Sequence, residues 1–156
     1  MSIAPRLRWY LDAQGVRYEL IPHPHSASSA ETARAAALPL ETLAKPVLLE
    51  DEQGYVMALV PASCRVDLRS LSEQLHRELT LAGEREMAPL FHDCEQGALP
   101  ALGSPYRIPT VYDDALAELR EVCFEAGDHE DVVRMAGAEF VRLLAGAKHG
   151  RFSVPL

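Results

Sequence analysis

The chain has 156 residues and a mass of 17.2 kDa, with 48% apolar and 24% charged residues, the make-up of a single globular domain spanning 1–156, able to bury roughly 70% of its unfolded surface. No apolar stretch approaches the ~20 residues needed to cross a bilayer, so a membrane partner is not expected. A net charge of -8 argues against the broad grip on phosphates that DNA binding requires, but leaves room for holding one short RNA end.

Leu7, Tyr10 and Leu11 recur at helical spacing and Gly15 closes the run, so the spacing predicts a first helix. No apolar signal core precedes it, and the expected location is the cytoplasm. Val16 to Ile21 alternates apolar and polar and ends at Pro22, the pattern of a half-buried strand. His23 to Ser28 then reads as a loop. Ser28 and Glu31 have capping-box spacing at the start of an Ala-rich helix running to Ala37.

Val47-Leu48-Leu49 and Tyr55 to Val60 flank the acidic turn Asp51-Glu52-Gln53-Gly54, a hairpin of two largely buried strands expected at the centre of the fold. Asp67 is placed to cap a helix with Leu68, Leu71 and Leu75 inward. Leu79 to Ala82 reads as a short strand, followed by a helical turn around Met87 and Leu90. His92 to Tyr106, with Gly97, Pro100, Gly103 and Pro105, is a loop of defined shape. Strands are expected at Thr110 to Tyr112, Glu121 to Phe124 and Asp131 to Met135. A last helix from Ala138 to Ala145 places Phe140, Val141 and Leu144 inward, and the tail after Gly146 reads as frayed. The result is an α/β fold: one domain built on a mixed sheet or partly closed barrel with surrounding helices.

No phosphate loop, dinucleotide fingerprint, nucleophile elbow or zinc helix is present, so no cofactor is expected. His23-x-His25 and His92-x-Cys94 lack a second pair at structural-zinc spacing, and no metal is expected. Cys64, Cys94 and Cys123 are too far apart for a redox motif and read as reduced thiols. Lys45, between Ala44 and Pro46 at the start of an apolar strand, either snorkels to the surface or faces a site. Gly97 to Pro100 marks either a plain turn or exposed backbone donors for an oxygen or phosphate. Asp128-His129 after Gly127 is either a polar turn between strands or an acid-base or hydrogen-bonding pair. No residue stands out as a general base.

The order of these pieces is more specific than any one of them. Ala44-Lys45 before a buried strand, Tyr55 to Pro61 followed by Arg65-Val66-Asp67-Leu68, and Cys94-Glu95-Gln96-Gly97-Ala98-Leu99-Pro100 appear in sequence. Val111 to Leu116 and Phe124-Glu125-Ala126-Gly127-Asp128 close the series. In this the chain resembles the YbaK/prolyl-tRNA synthetase-associated domain family, modules that remove wrongly attached amino acids from tRNA. The resemblance implies an aminoacyl-tRNA deacylase whose partner is the aminoacylated acceptor end of tRNA. It places Lys45, Gly97, Pro100 and His129 in catalysis, and His23, Ala98, Leu99, Gly127 and Asp128 in substrate binding. Help from the substrate's own ribose hydroxyl fits the absence of an evident base. Pro46 and Ala101 depart from residues common in the family, Thr and Pro respectively, and Pro46 has no N–H to offer a ligand. The alternative is a non-catalytic module that binds charged tRNA or a small aminoacyl ligand.

Overall fold

The computed structural model describes residues 3–156. Helix α1 (Pro5–Gln14) starts at Pro5, where the missing N–H is one the helix leaves unbonded anyway, and stops at Gly15 with φ 67°. Leu7 and Leu11 are buried beneath it. The strand expected from Val16 begins only at Glu19. Val16 and Tyr18 instead finish the helix end, the Val16 amide donating to the Leu11 carbonyl and the Tyr18 hydroxyl to Asp12. Strand β1 (Glu19–Pro22) is a mostly exposed edge with only Ile21 half-buried.

Helix α2 (Ser29–Ala35) is capped as its sequence predicts: Ser28 Oγ accepts from the Glu31 amide, and Glu31 accepts from the Ala27 amide. It ends before Ala37, which stands at φ 56°. A 3-10 turn (Leu40–Thr42) leads into β2 (Ala44–Asp51) and β3 (Gly54–Pro61), paired antiparallel along their whole length. Then follow β4 (Cys64–Val66), α3 (Leu68–Leu75), β5 (Thr80–Leu81), α4 (Glu84–Leu90), a 3-10 turn (Ser104–Tyr106), β6 (Thr110–Asp113), α5 (Asp114–Ala117), β7 (Glu121–Glu125), β8 (Asp131–Ala136), α6 (Gly137–Leu143), β9 (Lys148–Gly150) and β10 (Ser153–Pro155).

The central sheet is mixed, in the order β5-β2-β3-β6-β9, with β6 parallel to both β3 and β9. A second, antiparallel sheet has the order β1-β8-β7, and a bridge from Leu43 to Cys123 ties it to the first. Strand β3 explains its unbroken apolar run by being covered on both faces. Met57 and Leu59 point into a core shared with α1, β7 and α6, through Leu7, Leu11, Phe124 and Phe140. Val56, Ala58 and Val60 point the other way, against Leu71, Val111 and Phe152.

Two expectations for the C-terminal part change. In α6, Phe140 is buried as expected and Leu144 is buried at the cap, but Val141 is only half-buried and Leu143 faces inward. The tail is not frayed: β9 extends the central sheet and β10 pairs antiparallel with β4. The anchor is Asp113, whose Oδ2 accepts from the Phe152 and Ser153 amides, each at 2.8 Å.

Candidate active site

The start of β2 presents Lys45. Its neighbour Pro46 lies where the outer edge of β2 carries no partner, because β5 pairs only with Leu49 and Glu50. A residue without an N–H is tolerated there. Lys45 is half-buried, and its Nζ donates to the Cys64 carbonyl at 2.6 Å, across the turn that joins β3 to β4. Burial holds its ammonium below the ordinary lysine range. Of the three donors on Nζ, this carbonyl takes one among the described residues.

Facing Lys45 is the loop after α4. Gly97 has φ 83°, in the left-handed region that favours glycine. A Cβ there would come within 3.3 Å of His129 Cε1. The loop is held from behind: His129 Nε2 lies 2.5 Å from the Gln96 carbonyl. A carbonyl only accepts, so Nε2 carries the proton. The Ala98 amide is spent on the Glu95 carbonyl, whereas the Gly97 and Leu99 amides have no hydrogen bond among the described residues.

His129 is itself fixed by the tight turn between β7 and β8, where it stands at φ 61°. Asp128 Oδ1 closes that turn by accepting from the Glu130 and Asp131 amides at 3.0 and 2.9 Å. Against the opposing effect of burial, the Asp131 side chain first and these amides second hold Asp128 below its ordinary pKa. Asp131 moves the other way, pushed up to about 6, chiefly by the hydrogen bond between the two carboxyl groups.

Glu125, at the end of β7, is the functional candidate that sequence reasoning missed. It is 6% exposed, yet it lines the same cavity as Lys45, Gly97 and Leu99, a space of about 330 Å³ that Ser28 and Leu43 help enclose. Burial raises its pKa, opposed by a hydrogen bond from Thr32 and by the nearby His129 and His23. Its Oε2 has no hydrogen-bond partner. The sequence carried a weak signal in a charged residue between Phe124 and Ala126, at the end of an otherwise apolar strand.

The residues singled out from sequence therefore separate into two groups. Lys45, Gly97 and Leu99 meet at the cavity. Ala98 and Pro100 are buried beneath the loop. His129, Asp128 and His23 stand behind it, none of them lining the cavity. Gly127, at φ 105°, meets the N-terminal segment, where an added Cβ would fall 2.8 Å from Ala4 Cβ. Two thiols are withdrawn from chemistry by burial, which pushes Cys94 up to about 12 and Cys123 up to about 11.

The sequence pattern of the aminoacyl-tRNA editing domain matches residues 23–143, a span that runs from His23 through the Lys45 strand, the Gly97 loop and the β7–β8 turn. The chain belongs to this family. Among solved structures, this editing domain superposes with a TM-score of 0.83 on one described as a candidate trans-editing enzyme for prolyl tRNA synthetase, at 23% identity and covering 98% of this chain and 99% of that one. The hypothetical protein APE2540 gives a TM-score of 0.83 at 21% identity, covering 96% and 99%. A candidate signal transduction protein from Marinobacter aquaeolei VT8 gives 0.79 at 26% identity; the editing domain is covered over 98% of its length and spans 31% of that longer chain. No curated protein matches. These likenesses fix the fold of the editing domain as a mixed α/β domain.

Proposed function

We propose that this editing domain is a deacylase that hydrolyses the ester joining a wrongly attached amino acid to the terminal adenosine of tRNA. The observation that carries the reading is the convergence of the Lys45 ammonium and the open face of the Gly97 loop on one cavity. Ester hydrolysis needs an oriented water and donors aimed at the developing oxyanion. The amides of Gly97 and Leu99 supply such donors, and Lys45 polarises the ester or anchors the adjoining phosphate with its remaining N–H groups. His129 is a positioning residue in this scheme, holding the loop through the Gln96 carbonyl. Pro100 and Ala98 shape the loop from below, while Asp128 and Gly127 set the turn that carries His129. His23 supports that turn through its backbone amide, which donates to the Glu130 carbonyl.

In this scheme the free hydroxyl of the terminal ribose, beside the scissile bond, guides the water, in keeping with the burial that pushes up Cys94 and Cys123. The contact is confined to the acceptor end, in keeping with the net charge of -8. Incubating the protein with a panel of mischarged tRNAs, with and without Lys45→Ala, tests the reading. Amino acid release by the wild type and its loss in the variant are expected. Retention of every ester alongside measurable tRNA binding would instead make the protein a non-catalytic recognition module.

A further inference from the structure

Glu125 is among the residues that line the cavity, and its buried Oε2 has no hydrogen-bond partner among the described residues. Burying a carboxyl group without a full set of partners is costly. Such groups in a native structure call for an explanation, and beside a cleft a ligand group can supply the missing partner. Beside Glu125, Thr32 on α2 helps to hold the carboxyl in its charged form, and Thr32 Oγ1 is itself in a 2.6 Å hydrogen bond with Ser26 Oγ.

The walls of the cavity differ in character. Leu43, Met87 and Leu99 are apolar, while Ser28, Lys45 and Glu125 are polar. Lys45 gives one Nζ donor to the Cys64 carbonyl, and no ion pair joins Glu125 to a cation among the described residues. An aminoacyl ester offers the missing partner. Besides its reacting carbonyl it carries one fixed positive group, the α-ammonium, next to a side chain that varies.

We propose that Glu125 is a specificity-determining residue that receives the α-ammonium of the esterified amino acid, so that the site accepts esters with a free amine and rejects those whose amine is acylated. The apolar wall then takes the side chain, and the ester carbonyl points to the Gly97 loop. Binding brings a fixed positive charge to a buried carboxyl that has no ion pair among the described residues, and a charge-assisted hydrogen bond of this kind is among the stronger contacts available. The inference rests on the aminoacyl-ester reading above, and its test separates the two.

The probe is a non-hydrolysable analogue, adenosine bearing an aminoacyl group through an amide at the ribose 3′ position, compared with the same molecule N-acetylated. Calorimetry or NMR titration of the wild type should show the free amine binding about tenfold or more tightly than its acetylated form. Glu125→Gln should abolish that preference by weakening only the free amine, and Glu125→Asp, which withdraws the carboxyl by one methylene, should leave an intermediate preference and serves if the Gln variant does not fold. Equal binding of both analogues by the wild type, or an undiminished preference in a folded variant, would overturn the role of Glu125. A preference for the free amine that depends on Glu125, in a protein that releases no amino acid from any mischarged tRNA, would keep this inference and remove the deacylase reading.

Discussion

Lys45 joins two demands in one side chain, because the ammonium offered to the cavity also ties β2 to the turn before β4. Lys45→Ala is therefore expected to lower deacylation by at least about tenfold, the scale of one lost charge-assisted contact, and to cost some stability by stripping the Cys64 carbonyl of its donor. Turnover on mischarged tRNA, read beside a thermal melt, checks both. Equal turnover in a folded variant would make Lys45 a structural tie. At Gly97 the effect is steric: a side chain meets both the unfavourable φ of 83° and the His129 ring. Gly97→Val should depress kcat/KM while the global fold survives, since the loop is exposed at that point, and normal kinetics would take the loop out of the site. Lys45 and Gly97 were legible in the sequence because each interrupts its surroundings, a cation before an apolar strand and a glycine in a proline-bounded loop. Glu125 was not, because its meaning comes from Thr32 and His129, which reach it only once α2 and the β7–β8 turn have folded over the strand end.

At the scale of elements, the turn between β7 and β8 carries a pH dependence with a definite sign. Asp131 has a folded pKa of about 6 against an ordinary 3.8, so the stability it contributes is fully present below about 3.8 and is lost as pH rises through about 6. Asp131→Asn keeps a hydrogen bond to Asp128 and removes the titration. The melting temperature of the wild type, relative to that variant, should thus fall as pH is raised through about 6; a constant difference would mean that folding does not raise the pKa of Asp131. The C-terminal strands make a second case. Phe152 is buried against Leu71 and Val111, so Phe152→Ala should destabilise by about 3–5 kcal/mol, measurable by denaturant unfolding. A change under about 1 kcal/mol would mean that the tail contributes little to the core. Capping residues, the central hairpin and the main helices were readable because their signals are local. The tail was not: β9 and β10 have three residues each, too few for a periodic pattern, and they are held by an aspartate forty residues away.

The whole molecule is acidic, and the substrate proposed for it is an RNA, so its electrostatics must work locally. Arg69 is fully in solvent and turned toward Glu73 on its own helix, which matches a solvated helix charge and takes it away from the RNA. Arg65 is exposed on β4, next in sequence to Cys64, whose carbonyl holds Lys45, so Lys45 and Arg65 are the cations we assign to the acceptor end. Two such contacts to the single-stranded acceptor end release about two counterions, and the slope of log K against log salt should then be about -1.5. Binding to a minihelix carrying only the acceptor stem should match binding to whole tRNA, because the remaining surface repels the backbone more than it attracts it. Titrating both RNAs at several salt concentrations decides the matter. A slope near -1.5 for each places recognition at the terminal adenosine and its neighbouring phosphates. A slope steeper than about -4, with whole tRNA favoured, would reveal a basic surface beyond Lys45 and Arg65 and would overturn the picture of a protein that touches only the end of its substrate.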